Sequence, residues 1–225
     1  MRHTYDRPRC WALLALALLP LPLSGCTALG AIASKVKGPT VVKPAYTRLK
    51  GQTVAVMAWA DRDLRIEHSA LQLDVSQGVY QKLRKSQGRG AEELAGAKFP
   101  RAAAPDAMVR FLYDNPRYDT DSIPEIAPQL GVNRLIYLEV EDFSTHPEEV
   151  PELFRGQLSA LLRVIEVAPD GQAKVAYQDR VDAVWPPNTP PEGRPDLGNQ
   201  VTYLGTLDAF TTAVVQKFVS YEQAD

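Results

Sequence analysis

Two apolar runs joined by a turn sequence constrain this chain more than any other feature. Residues 157–167 (QLSALLRVIEV) and 173–185 (AKVAYQDRVDAVW) flank Pro169-Asp170-Gly171. Proline presets a turn dihedral, aspartate bonds back to nearby backbone, and glycine accepts a left-handed conformation, so the two runs are predicted to form a β-hairpin. In the second arm Val175, Tyr177, Val181, Ala183 and Trp185 alternate with Lys174, Gln178, Arg180 and Asp182. That is the period of a strand with one wet face. In the first arm Leu161, Ile165 and Val167 lie opposite Leu158, Leu162 and Val164. A strand apolar on both sides belongs at the centre of a covered sheet. It lacks the single clean lipid face of a hairpin that lines a membrane pore.

The remaining elements build on that hairpin. Thr53–Ala60 (TVAVMAWA) is short, apolar and β-branched at its start, the pattern of a buried strand. Residues 67–85 are predicted as a helix, because Leu71, Val75, Val79 and Leu83 recur every four residues, and Gly88 and Gly90 mark its end. Residues 86–121 are irregular apart from a short helix over Asp106–Tyr113, with Met108, Val109 and Leu112 expected on its buried side. Ser122-Ile-Pro-Glu125 is a capping box opening another helix, and Pro128 makes that helix short or kinked. Gly131 ends it. Arg134–Phe143 is the next strand, with Ile136, Leu138 and Val140 on one face and Glu139 and Glu141 on the other. Residues 186–199 (PPNTPPEGRPDLGN) form a Pro-rich loop, and a last helix is expected over Tyr203–Tyr221 on the stripe Leu207, Phe210, Val214, Phe218, Tyr221. The predicted class is α/β: a compact mixed sheet of about four strands, parallel at its start and then an antiparallel hairpin, covered by helices.

The amino terminus has a different character. Arg2, Arg7 and Arg9 precede an apolar run, Trp11–Leu23, which gives way to small residues at Ser24 and Gly25. A basic start, a short apolar stretch and a small-residue exit mark a secretory signal. The run is shorter than the roughly 20 residues a membrane-spanning helix needs, and Pro20 and Pro22 interrupt it. Leu23-Ser24-Gly25-Cys26 resembles the lipobox of bacterial lipoproteins. The resemblance implies cleavage between Gly25 and Cys26, a diacylglyceryl group on the Cys26 thiol, and acylation of the new amine with chains such as palmitate. Thr27 follows, where aspartate would favour retention at the inner membrane, so the outer membrane is the expected address. The expected organisation is a signal peptide over 1–25, a lipidated flexible tether over 26–50, and one α/β domain over 51–225.

Composition narrows the function classes. The chain has 25 basic and 27 acidic residues, and loss of residues 1–25 removes three arginines and one aspartate. An acidic mature chain argues against nucleic acid as a partner. Its two cysteines are Cys10, inside the signal, and Cys26. No disulfide and no cysteine metal site is therefore expected. His68 and His146 stand in different elements without a second ligand at metal spacing, so no metal and no cofactor is expected. The chain contains no G-x-S-x-G, P-loop or G-x-G-x-x-G pattern. Asp61, Arg62 and Asp63 follow the first strand, where open α/β sheets gather binding groups. They and Trp185, beside the Pro-rich loop, are the candidate partner-binding residues. A solvated turn is the simpler reading of the first three.

The element order behind a lipobox resembles a group of bacterial envelope proteins: the curli-secretion lipoprotein, the lipoprotein activator of a penicillin-binding protein, and the N-terminal domain of the Tol-system propeller protein. Residues 53–63 (TVAVMAWADRD), the helix after them, and residues 126–143 (IAPQLGVNRLIYLEVEDF), with Leu130-Gly131-Val132 between helix and strand, carry the likeness. It implies a non-enzymatic binding or assembly module, tethered to a membrane through Cys26 with its domain in the periplasm, whose partner is another envelope protein. The alternatives are an oligomeric subunit of an outer-membrane secretion complex and a hydrolase using carboxylates among Asp61, Asp63 and Glu139–Asp142.

Overall fold

The computed structural model describes residues 40–115 and 122–223. In chain order the elements are β1 (Thr40–Val42), β2 (Val54–Ala60), α1 (Arg62–Glu67), α2 (Leu71–Gly88), α3 (Pro105–Asp114), α4 (Ile123–Ile126), β3 (Arg134–Ser144), β4 (Gly156–Val167), β5 (Ala173–Trp185), α5 (Asn199–Gln216) and β6 (Tyr221–Gln223). Four strands form one sheet in the order β2-β3-β4-β5, and β1 pairs with β6 in a separate ribbon. β2 runs parallel to β3 from Val54↔Arg134 to Ala60↔Val140, and the β3–β4 and β4–β5 pairs are antiparallel. The expected mixed α/β class is the observed one.

Alternation sorts the sheet residues into two cores. Val56, Ala58, Ile136, Leu138, Val140, Leu158, Leu162 and Val164 face α2 and α5, meeting Leu71, Val75, Val79 and Leu83 from the first and Leu207, Phe210 and Val214 from the second. Ala55, Met57, Leu135, Tyr137 and Ile165 face the opposite way, against Met108 and Leu112 of α3 and Ala127 and Val132 beyond α4. Alternation in β4 is unbroken and puts Ile165 in the second core, while β5 departs from it once, at Ala176, which the register skips between Val164↔Tyr177 and Ile165↔Val175. The turn forms as its residues predict: Gly171 has φ +84°, and Gln172 N–H donates to Asp170 Oδ1 at 3.0 Å. The free edge of β2 is closed by side chains, with Ala58 N–H donating to Ser76 Oγ at 2.8 Å and Gln72 Nε2 donating to Ala58 O at 3.1 Å.

Several boundaries differ from the sequence expectation, each for a local reason. The helix expected over 67–85 starts only at Leu71, and Glu67 instead ends a separate short helix, α1. Asp61 Oδ1 accepts from Leu64 N–H at 2.9 Å and caps α1, while α2 begins only at Leu71, the first residue of the buried stripe. Residues before Leu71 bury no apolar side chain that would hold them to the same axis. In α3 Met108 and Leu112 are buried, four residues apart on one face, whereas Val109 is 44% exposed. The capping box forms, Ser122 N–H donating to Glu125 Oε2 at 2.7 Å, and the helix lasts one turn before a tighter turn carries Pro128 to Gly131 at φ +65°. The last helix starts at Asn199 and stops at Gln216. Phe218 remains buried in the following turn, and Tyr221 belongs to β6.

The largest difference concerns the stretch read as a flexible tether over 26–50. The domain packs from Val41 onward. Tyr46 and Leu49 are buried in the helix-side core, Tyr46 N–H donates to Lys217 O at 2.9 Å, and the Tyr46 hydroxyl donates to Glu166 Oε1 at 2.8 Å. Residues 1–39, with Gly25, Cys26 and the signal, lie outside the described residues. Among those described, no helix is long and apolar enough to cross a membrane.

Candidate binding cleft at the loop end of the sheet

β2 and β3 end, β4 begins and β5 ends at the same edge of the molecule, a consequence of the strand directions. The connection 145–155 and the Pro-rich loop after Trp185 both spring from that end. They are joined there. Phe154 N–H donates to Arg194 O at 2.9 Å and Arg194 N–H donates to Phe154 O at 3.0 Å, a single β-bridge between the loops. Gly193 permits this approach, since its φ is +88° and a Cβ there would lie 3.1 Å from Phe154 O. The Arg194 guanidinium grips Asp196 by Nε at 2.9 Å and Nη2 at 2.5 Å, which holds the Asp196 carboxyl below the ordinary carboxylate range. The Pro-rich loop, which the sequence reads only as irregular, is thus a built wall.

A cleft of about 750 Å³ lies against these loops, lined by Asp142 and Gln157 of the sheet, by His146–Val150 and Arg155, and by Pro191 and Glu192. Arg155 is its one cation. The Nη1 group donates to Gln157 Oε1 at a long 3.4 Å, and Gln157 Nε2 donates in turn to Asp142 Oδ2 at 3.3 Å. Arg155 Nε is buried and has no hydrogen-bond partner, the single side-chain atom in that state among the described residues. Leaving a buried donor unpaired costs about 1–3 kcal/mol. Glu148, Glu149 and Glu192 are exposed on the rim. His146 is held locally, its Nδ1 3.0 Å from Thr145 Oγ1 and its ring 4.7 Å from that of Phe154.

The residues singled out from sequence are not brought together. Asp61 is occupied as the cap of α1, and Arg62 and Asp63 are exposed beside it at the end of β2. Trp185 ends β5, at the opposite edge of the four-stranded sheet. It packs on α5, where a Cβ added at Gly205 would collide with the indole ring, so much of its surface is already covered. Trp185 is half-buried in a contact between β5 and α5. Glu139 and Glu141 do share the sheet face away from α2 and α5. Glu139 pairs with Arg163 at 2.6 Å and Glu141 with Arg180 at 2.9 Å. Arg180 also reaches Asp182 at 3.1 Å, whose carboxyl is held low by the Ser159 hydroxyl first and by Arg180 after it. His68 sits edge-on to Phe143 at 4.6 Å. Among the described residues no three His, Cys, Asp or Glu side chains group in a way that would hold a metal ion.

Sequence reasoning missed Arg155 and the rim glutamates. Their only signal was His146-Pro-Glu-Glu149, which is also how an ordinary loop reads.

No family model matches the chain, and no curated protein sequence matches it. Among solved structures it is similar to a PelC dodecamer from Paraburkholderia phytofirmans, at 11% identity and a TM-score of 0.42, over 81% of this chain and 99% of that one. It is similar also to the lipoprotein GNA1162 from Neisseria meningitidis, at 15% identity and a TM-score of 0.39, over 73% of this chain and 96% of that one. A third is the hypothetical protein CT253 from Chlamydia trachomatis, at 18% identity and 0.35, over 60% and 72%. One of these neighbours is a lipoprotein. Likenesses this distant assign neither a family nor an activity.

Proposed function

We propose that this protein is a lipid-anchored, non-catalytic binding module of the bacterial cell envelope. The observation that carries the reading is Leu23-Ser24-Gly25-Cys26 placed directly behind the apolar run Trp11–Leu23. Cleavage there makes Cys26 the first residue, and two or more acyl chains on it anchor the protein stably where one would hold it only marginally. Thr27 favours the outer membrane, with the folded domain in the periplasm. Between Cys26 and the packed domain at Val41 lie fourteen residues, Thr27 to Thr40, a span of up to about 50 Å at about 3.3 Å per residue. The domain therefore works close to the membrane that holds it.

The sheet carboxylates support the non-catalytic part. Glu139 and Glu141 are each engaged by an arginine, and Asp61 by a helix terminus. The cleft contains Asp142 but neither Asp61 nor Asp63.

Intact mass and membrane fractionation of the wild type beside Cys26→Ser, expressed in a bacterial host, test the anchor. Wild type should begin at a diacylated Cys26 and sediment with membranes, while Cys26→Ser stays unprocessed or becomes soluble. Identical behaviour of the two, with no lipid mass, would overturn the reading.

A further inference from the structure

We infer that the loop-end cleft receives an extended, lysine- or arginine-bearing segment of a partner protein. This rests on the reading of the domain as a binding module and names the chemistry of what it binds. Two independent observations select that chemistry.

The first is Arg155. A guanidinium is always charged and offers five N–H donors. Here one makes a single long bond to a neutral amide and another, Nε, is buried with no partner. Buried donors in folded proteins are almost always paired, so a guanidinium this poorly engaged has donors left for an acceptor in the cleft.

The second is the rim. Glu148, Glu149 and Glu192 are exposed, and no basic side chain pairs with them among the described residues. The contrast with the sheet face is direct, since Glu139 and Glu141 there are both engaged by arginines. An acidic rim repels a free phosphate or sulfate that Arg155 alone would attract. It attracts a cation. A peptide segment satisfies both, its backbone carbonyl accepting from Arg155 while its basic side chains meet the glutamates. Pro147, Val150 and Pro191 supply apolar wall for the stems of such side chains. The Phe154–Arg194 bridge fixes the two walls relative to each other, so little ordering accompanies binding.

The test is fluorescence anisotropy with two capped, fluorescein-labelled peptides, (Lys-Gly)6 and (Glu-Gly)6, titrated with the full-length lipidated protein in phosphatidylcholine nanodiscs. The lysine peptide should bind and weaken steeply with added salt, and the glutamate peptide should not bind. A Glu148→Gln, Glu149→Gln, Glu192→Gln protein should lose about tenfold in affinity and most of the salt dependence. Arg155→Gln should lose about tenfold while keeping the salt dependence, because it removes the donor to the backbone and not the acidic rim. Thermal melts of both variants should match the wild type; if Arg155→Gln melts early, Arg155→Lys, which keeps the charge and loses the planar fork, takes its place. Equal binding of both peptides, or wild-type affinity in the triple glutamine protein, would overturn the inference. The same titration on the full chain carrying Cys26→Ser must give the same affinity. Failure of the lipid anchor and failure of the cleft are thereby separable.

Discussion

The two faces of the central sheet are built from the same four strands yet are finished in different ways. The face toward α2 and α5 is dry along most of its length, with Glu166 and Asp179 at its border, and the two eighteen-residue helices covering it are themselves in contact through Gly78 and Thr211. The other face is dry only where α3 and the turn after α4 reach it, over Ala55, Met57, Leu135 and Ile165. Elsewhere it is wet and laced by Glu139–Arg163 and Glu141–Arg180. Strand periodicity alone creates both faces equally. Which one becomes core depends on how far a helix extends over it, and the free energy follows the cover.

Substitutions at adjacent positions of β4 are the sharpest way to break this comparison. Leu162 is fully buried on the covered face, so Leu162→Ala should destabilise by about 4 kcal/mol. Its neighbour Leu161 points to the partly wet face, and Leu161→Ala should cost about 1 kcal/mol. Urea unfolding that gives equal losses for the pair would show that the faces do not differ as described. Next in size, Gly156→Ala should destabilise by about 2–3 kcal/mol, because its Cβ would collide with Thr206 Oγ1 on α5. A midpoint unchanged from wild type would mean that β4 and α5 are less closely apposed.

The covered face also predicts alkaline behaviour. Burial, then the hydrogen bond to Glu166, pushes the Tyr46 hydroxyl up to about 12, and burial with the bond to Asp179 does the same for Tyr177. An unfolded tyrosine ionises near 10. The raised values mean that this stabilisation is complete below pH 10 and is lost as pH rises through 12. Each tyrosine should contribute about 1 kcal/mol over that window. Burial, then the bond to Asp74, raises Tyr203 as well, so absorbance titration should show three late-ionising tyrosines, and Tyr46→Phe should flatten the alkaline fall in stability. A single titration centred at 10 for all tyrosines would remove the argument. The smallest effect belongs to the wet face: Arg163→Gln should cost about 0.5 kcal/mol and less in high salt, since such partly exposed pairs contribute little. A loss several times larger would reveal that this face is covered too.

How much of this was legible in the sequence depended on whether the signal was local. The hairpin 156–185 was readable almost to the residue, because Pro169-Asp170-Gly171 fixes the turn and alternation fixes the strands. The capping box at Ser122 and the end of α2 near Gly88 were readable for the same reason. Tyr46 and Leu49 were not. Their surroundings, with Pro39, Pro44 and scattered lysines, have the composition of a tether, and only Phe218, Tyr177 and Glu166 from far along the chain make that stretch part of the core. The apolar stripe does not mark the end of α5, because it reports burial, and Phe218 is buried without being helical.

The cleft shows the same division at the level of function. By itself the sequence determined the strand order of types, the hairpin, the stripes of α2 and α5, and the short motif around Cys26, all of which depend on residues within about a dozen positions of one another. Only the tertiary structure decided that the Pro-rich loop is pinned through Arg194 to Phe154, that Trp185 packs against Gly205, and that Arg155 stands with an unpaired donor beside the rim glutamates. Pairing, close approach and the absence of a partner are properties of atoms adjacent in space, and a residue's own neighbours in sequence carry no record of them.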